Sequence, residues 1–161
     1  YNQYREVVDK LLQEKPRADV SVSAARKGDV IAITAESKSL AAGNEGQNSS
    51  VKLRLALTEE SIRYVGGNKL RFHHHVVRAM PGGVEGTAVV KGVGKVELNV
   101  DLAELRKKTE AYVNDLAEKR PFHAEPPALN YKNLSVVAFV QDDHDRSILG
   151  AASTPVADAA P

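Results

Sequence analysis

Hydrophobic side chains that alternate with polar ones along short segments constrain the fold of this chain more than any other feature of its sequence. The clearest segment is 51–57, where aliphatic residues occupy every second position. A period of two places them on one face of a β-strand, because successive side chains point to opposite faces. Similar patterns occur at 20–24, 31–35, 96–100 and 134–140. The sequence therefore predicts strands with one apolar face, which a second layer must cover.

A hairpin is predicted around Arg26-Lys27-Gly28-Asp29, between two of these segments. Folding the chain at Lys27-Gly28 pairs Ala24 with Ile31, Val22 with Ile33 and Val20 with Ala35. Cross-strand partners project from the same face, so this register collects the apolar side chains of both strands on one side. Gly28, at the second turn position, supplies the positive φ that a short turn requires.

Two helices accompany the strands. The first is an amphipathic helix over residues 1–15, and Pro16 ends it. Its apolar stripe consists of Tyr4, Val7, Val8, Leu11 and Leu12. The second starts after Asp101, an N-cap residue followed three positions later by Glu104, and runs to Lys119. Its predicted packing face consists of Leu102, Leu105, Tyr112, Val113 and Leu116.

These elements predict a mainly β fold. About eight strands are separated by turn signals at roughly 8–15-residue spacing, which favours antiparallel pairing. Further strands are expected at 70–79, 84–91 and 147–152. We predict an antiparallel two-sheet sandwich of immunoglobulin-like type, with an N-terminal helix and one crossover helix. The Cys…Trp…Cys signature of immunoglobulin domains is missing, so the prediction concerns architecture alone.

Three parts of the chain are distinguished: the helix at 1–15, a sandwich domain at 16–152 and a tail at 153–161. A polar loop is expected at 41–50. A helix of about 14 residues is too short to persist alone, so its apolar stripe must pack against a surface. That surface is the chain's own sheet, a preceding domain of which this would be the last helix, or a second copy of the chain. We expect the first, because an uncovered stripe tends to associate.

Composition excludes several classes of protein. There is no cysteine, which excludes disulfides, thiolate nucleophiles and cysteine-based zinc sites. The net charge of +1 lacks the basic excess that nucleic-acid binding requires. No apolar run approaches the ~20 residues needed to cross a bilayer, so no membrane span is predicted. Neither a phosphate-binding glycine loop nor a Gly-x-Ser-x-Gly motif occurs, and we expect no cofactor and no catalytic residue.

The candidate site is the run His73-His74-His75. On a regular strand His73 and His75 share one face, and two imidazoles at that spacing are suitable ligands for Zn²⁺ or Cu²⁺. A third ligand is needed, and the candidates are His123, His144 or a carboxylate such as Asp142 or Asp143. The alternative interpretation places His73 and His75 on a solvated or covered face and His74 in a partly buried position.

Two carboxylate groups receive a structural interpretation. The acidic turn 142–145 lacks the glycine and the closing glutamate of a calcium loop, so it is predicted to be a solvated hairpin turn. Glu59 and Glu60 are adjacent on a strand and diverge to opposite faces, so they do not form an acid–base pair.

Two stretches carry a family resemblance: Leu53–Asn68 continuing through Leu70–Arg78, and Val136–Asp143 followed by Ile148–Gly150. Together they resemble the β-rich C-terminal portion of bacterial extracytoplasmic proteins whose N-terminal half is thioredoxin-like. The resemblance implies a periplasmic or secreted location and makes 1–15 the helix that closes the redox domain. It carries over no redox residue, because the Cys-x-x-Cys motif is absent.

Two functions follow from this reading. The first is a non-catalytic β-sandwich module that contacts a protein partner, a neighbouring domain or its own copy. The second is a small metal-binding or hydrolytic domain centred on His73 and His75, with His144 as a further ligand. We expect the first, since no motif of an enzyme is present.

Overall fold

The computed structural model describes residues 2–39, 50–122 and 124–158. Two helices and nine strands occur in these ranges. They are α1 (Asn2–Leu12), β1 (Ala18–Lys27), β2 (Val30–Ser39), β3 (Val51–Arg63), β4 (Phe72–Ala79), β5 (Thr87–Ala88), β6 (Val93–Asp101), α2 (Leu102–Lys119), β7 (Leu134–Asp142), β8 (Ile148–Pro155) and β9 (Ala157–Asp158). The predicted loop at 41–50 lies, apart from Ser50, outside the described residues.

The strands form two sheets, which confirms the predicted mainly β sandwich. One sheet has the order β6-β2-β1-β9, and the other has the order β4-β3-β7-β8, with β5 also paired to β3. The pairing is antiparallel except between β1 and β9, which run parallel over two residues. The second helix leads from β6 in one sheet towards β7 in the other, as expected for a crossover element.

The predicted hairpin forms, but its register was wrong by two residues. Ala24 pairs with Ile33, Val22 with Ala35 and Val20 with Ser37. The loop consists of Gly28 and Asp29, and Gly28 has a φ of 62°. A type II′ turn requires glycine at its first position, and not at the second as we had assumed. A shift of two residues leaves every side chain on its predicted face, so the apolar face of the hairpin is correct.

The core lies between the two sheets. Its largest members are the buried side chains of Ile31, Ile33, Leu53, Leu55, Leu57, Leu102, Tyr131, Val136 and Val140. The two sheets approach closely where β1 meets β8, and there a Cβ on Gly150 would collide with the carbonyl of Ala18. The backbone N–H of Arg17 also donates to the carbonyl of Leu149 at 2.8 Å. The entry to β1 is therefore fixed to the beginning of β8, an edge strand of the other sheet.

The two helices differ in how they meet the sandwich. In α2 the Asp101 side chain accepts hydrogen bonds from the N–H groups of Ala103 and Glu104, which confirms the predicted cap. Tyr112 is 65% exposed and does not belong to the packing face. In α1 all five side chains of the apolar stripe are exposed by 51–80%. The expectation that this helix docks on its own sheet was wrong.

Two further boundaries differ from the prediction. The strand expected at 84–91 is reduced to β5, because glycines with positive φ at 82, 83 and 86 turn the chain repeatedly before it. Residues 153–155 extend β8, and residues 157–158 form β9, so this part of the predicted tail is paired backbone. No helix in the described ranges is long and apolar enough to cross a membrane.

We predict that Ile33→Asp lowers the free energy of unfolding by several kcal/mol. Ile33 is 2% exposed in the core, and an unpaired buried charge is costly to desolvate. The control is Ser23→Asp on the exposed face of β1, which should change stability by less than about 0.5 kcal/mol. Urea denaturation of the parent protein and the two variants measures the change in the free energy of unfolding for each substitution. Equal stability of the two variants would show that Ile33 and Ser23 are wrongly assigned to the buried and exposed faces of the hairpin.

Candidate functional site

A groove lies between α2, the adjoining ends of β3 and β4, and the segment that follows α2. Its volume is about 660 Å³. The lining is mostly apolar and consists of Ile62, Tyr64, His73, Val76, Arg78, Glu110, Val113, Asn114, Phe122, Glu125, Pro126, Pro127, Ala128 and Leu129. Ligand sites in proteins are concave, mostly apolar and of this size, so the groove is the candidate functional site.

A buried ion pair supports one wall of the groove. Glu59 lies where the apolar face of β3 ends, and Arg78 belongs to β4. The Arg78 Nε and Nη2 atoms donate to Glu59 Oε2 at 2.8 and 2.7 Å. The two side chains are 12% and 10% exposed. Arg78 is the extra residue of a β-bulge, because Thr58 pairs with Val77 whereas Leu57 pairs with Ala79. A bulge redirects a side chain, and here it accompanies the contact with Glu59.

Tyr131 links this ion pair to α2. The guanidinium groups of Arg78 and Arg106 lie 5.6 and 5.7 Å from the centre of its ring, within cation–π range. The Tyr131 hydroxyl donates to Thr109 Oγ1 at 3.0 Å, and the Arg106 Nε donates to the Leu129 carbonyl at 3.0 Å. Tyr131 is 1% exposed. Strand, helix and the segment after the helix are therefore held together beneath the groove.

The groove has acidic rather than basic free charges. Among the lining residues, the cation Arg78 is paired with Glu59. Glu110 and Glu125 line the groove, and neither forms an ion pair with another described residue. An apolar partner with basic groups at its edges would match this surface.

The three consecutive histidines do not lie as a regular strand predicts. His75 has a φ of 52°, which interrupts the alternation of β4. As a result His73 and Val76 line the groove, whereas His74 and His75 are exposed. His73 Nε2 is 3.0 Å from the carbonyl oxygen of Tyr64. The partly buried position expected for His74 was wrong.

His144 lies at the other end of the sheet. The turn after β7 adjoins Val51, which pairs with Asp142, whereas His73 pairs with Ile62. Eleven residues of an extended strand separate these positions, or about 35 Å at ~3.3 Å per residue. His144 therefore cannot complete a site with the other two histidines. His123 lies outside the described residues.

The acidic turn is a structural feature, as predicted. Asp142 and Asp145 accept backbone hydrogen bonds from His144 and Ser147. Arg54 donates to both carboxylate oxygens of Asp143, at 2.8 and 3.0 Å. The hydrogen bonds from Arg54 hold the pKa of the Asp143 carboxyl below its usual value. Within the described residues, no three His, Asp or Glu side chains come together as metal ligands do. A metal site on His73 and His75 stays a prediction.

Sequence reasoning singled out His73 and Val113 but missed the Glu59–Arg78 pair that supports the groove. The sequence analysis treated Glu59 only as a neighbour of Glu60 and predicted that the two side chains point to opposite faces. That prediction is confirmed, because Glu59 is buried and Glu60 is exposed. One signal could have identified Glu59. It continues the apolar positions 51, 53, 55 and 57, and a carboxylate on a core face requires a cationic partner. Which cation it meets depends on the bulge in β4, which no local pattern indicates.

Comparison with solved structures gives a likeness in fold. No protein-family model and no curated protein matches the chain. Among solved structures, the fold is similar to the crystal structure of a domain of the outer membrane lipoprotein Omp28 from Porphyromonas gingivalis. The TM-score is 0.54 at 14% sequence identity, over 89% of this chain and 99% of that one. At this identity the likeness establishes a shared fold.

We predict that Glu59→Gln lowers the free energy of unfolding by about 3 kcal/mol, because it leaves the Arg78 charge buried without a counter-charge. The neighbouring Glu60→Gln, on the exposed side of the same strand, is the matched control and should stay within about 0.5 kcal/mol of the parent protein. Chemical denaturation at neutral pH compares them. Similar values for both variants would mean that the Glu59–Arg78 pair does not stabilise the fold.

We predict that neither zinc nor a chelator changes the melting temperature. The sandwich buries a core of its own, and His73 already contacts the Tyr64 carbonyl. Bound zinc at a hundred times its dissociation constant would add about 2.7 kcal/mol of stability, which a thermal melt detects readily. A zinc-dependent rise that His73→Ala or His75→Ala abolishes would instead establish the histidine site.

Proposed function

We propose that this chain is a non-catalytic β-sandwich module of a larger extracytoplasmic protein, and that it acts by contacting another protein surface. The observation that carries this proposal is the uncovered stripe of α1. Five large apolar side chains, Tyr4, Val7, Val8, Leu11 and Leu12, project from one helix without packing on the sandwich. Contiguous exposed apolar surface of this kind is typical of protein interaction sites.

The groove supports the same proposal. It offers a second apolar surface, formed by β3, β4, α2 and residues 122 and 125–129. The side chains beneath it are held by the Glu59–Arg78 pair and by Tyr131, so its shape exists before any partner binds. A preformed apolar surface binds without the entropic cost of ordering its own side chains.

The extracytoplasmic location is part of the proposal. It is supported by the likeness in fold to a domain of an outer membrane lipoprotein, nearly all of which the chain covers. The resemblance to bacterial extracytoplasmic proteins, carried by Leu53–Asn68, Leu70–Arg78, Val136–Asp143 and Ile148–Gly150, supports it independently of the fold. That resemblance extends the proposal to a thioredoxin-like domain within the same protein.

Deletion of residues 1–15 tests the proposal. At a concentration where the protein sediments as a monomer, the truncated chain should melt within about 2 °C of the full chain, because the stripe buries nothing on the sandwich. Each aliphatic side chain that did pack there would contribute roughly 1.5–3 kcal/mol, so a clear fall in melting temperature would contradict the proposal. Fractionation of the source cells tests the location, and recovery of the domain with the cytosol would contradict it.

A further inference from the structure

We infer that the tip of the hairpin between β3 and β4, residues 63–72, docks on the surface of an anionic lipid bilayer. This surface is separate from the α1 stripe and from the groove, and a membrane is a partner that the proposed function does not include. The sequence around the tip has no carboxylate: residues 61–84 contain four basic residues and three histidines, but no aspartate and no glutamate. The tip therefore carries positive charge that no residue of its own segment offsets.

Three cations of the tip are free to meet an anionic surface. Arg63, Lys69 and Arg71 are exposed, and none of them forms an ion pair with another described residue. Arg78, the fourth basic residue of the stretch, is instead paired with the buried Glu59. Each lysine or arginine near an anionic bilayer strengthens binding roughly fivefold, so the three cations together contribute about 100-fold.

Large apolar side chains are exposed among these cations. Val65, Leu70 and Phe72 are 47%, 57% and 54% exposed. A soluble polyanion would pair with the cations and leave the apolar side chains in water. The interfacial region of a bilayer accepts apolar side chains while its headgroups attract the cations beside them. The combination of the two kinds of side chain on one tip therefore favours a membrane over a soluble polyanion.

The backbone of the tip is held by its own hydrogen bonds. The N–H of Tyr64 donates to the carbonyl of Arg71 at 3.0 Å, which continues the pairing of β3 and β4 into the turn. The N–H of Lys69 donates to the carbonyl of Gly66 at 2.9 Å. These bonds use main-chain atoms only, so the side chains project from a loop whose shape exists before contact, which reduces the entropic cost of binding.

Arg63 and Phe72 project away from the groove. They pair across the hairpin, one position beyond the pair of Ile62 and His73. Successive pairs of a β-ladder project from opposite faces, and Ile62 and His73 line the groove. Contact between the tip and a membrane therefore leaves the groove open to a protein partner.

The other end of the sheet lacks this combination of charges and serves as the reference. There the turn after β7 holds Asp142, Asp143 and Asp145 together with Arg146, and Arg54 pairs with Asp143. Positive and negative side chains offset one another at this end. Eleven residues of β3 separate it from the tip, or about 35 Å, which is several times the ~8 Å over which charges act at physiological salt.

Co-sedimentation of the full chain with vesicles tests the inference. Vesicles of phosphatidylglycerol and phosphatidylcholine in equal parts should bind the protein at least tenfold more tightly than vesicles of phosphatidylcholine alone. Lys69→Glu should weaken binding to the anionic vesicles at least tenfold, because it removes one cation and adds a repelling carboxylate. Higher salt should weaken the binding of the parent protein, because it screens these charges.

Lys91→Glu is the matched control. Lys91 is also an exposed lysine in a turn, with a φ of 50° where Lys69 has a φ of 60°. It lies near the start of β3, since Ala88 pairs with Lys52. The two substitutions change the net charge equally, but Lys91→Glu should alter vesicle binding less than about twofold, because the site lies far from the membrane. Both lysines are exposed, and melting temperatures equal to that of the parent protein verify that each variant is folded.

A fluorescent substitution distinguishes a bilayer from a soluble polyanion. The chain contains no tryptophan, so Phe72→Trp provides a single reporter within the tip. Its emission should move to shorter wavelengths with anionic vesicles, because the indole ring leaves water for the membrane interface. Dextran sulfate, a soluble polyanion, should leave the emission unchanged. Ile148→Trp is the matched control, since Ile148 is 52% exposed at the other end of the sheet, and its emission should not move.

Three results would overturn the inference. Equal binding by Lys69→Glu and Lys91→Glu would show that another surface, such as the stripe of α1, contacts the vesicles. An unchanged emission of Phe72→Trp in vesicle-bound protein would show that the tip does not enter the interface. Binding to dextran sulfate as tight as to the anionic vesicles, without any emission change in either, would assign the tip to a soluble polyanion.

Discussion

The burial of Glu59 at the end of the apolar face of β3 is the constraint on which the groove depends. The central strand β3 pairs with β4, β5 and β7, and its inward positions at 51, 53, 55 and 57 are aliphatic. Glu59 continues that face, so a carboxylate lies where the core ends. A charge in this position is tolerated only with a hydrogen-bonded counter-charge, and the bulge of β4 supplies Arg78.

That one ion pair organises the surrounding elements. Arg78 also lies over the ring of Tyr131. Tyr131 in turn contacts α2, through the guanidinium of Arg106 over its ring and through its hydroxyl group, which donates to Thr109. The helix makes few direct contacts with the sheets after Leu102, its one fully buried residue. Polar and cation–π contacts therefore fix its position, and the space left between helix and strands becomes the groove.

The histidines illustrate where strand periodicity stops being informative. His73, His74 and His75 look like a two-ligand site only if β4 alternates regularly. The positive φ of His75 breaks the alternation, and the extra residue at Arg78 shifts the pairing with β3. Both irregularities lie in β4, which is at the edge of its sheet, where bulges are over-represented. The central strand β3, paired on both sides, keeps its predicted alternation.

The sequence by itself determined the local features: the apolar faces of β1, β2, β3 and β7, the Asp101 cap, the turn at 142–145 and the amphipathic stripe of α1. Each depends on residues that are near one another in the chain, where periodicity and hydrogen-bonding chemistry act directly. The tertiary structure alone decided the hairpin register, the partner of Glu59, the orientation of His73 and the exposure of α1. These depend on which distant segments meet, and a period of two is satisfied equally well by registers that differ by two residues.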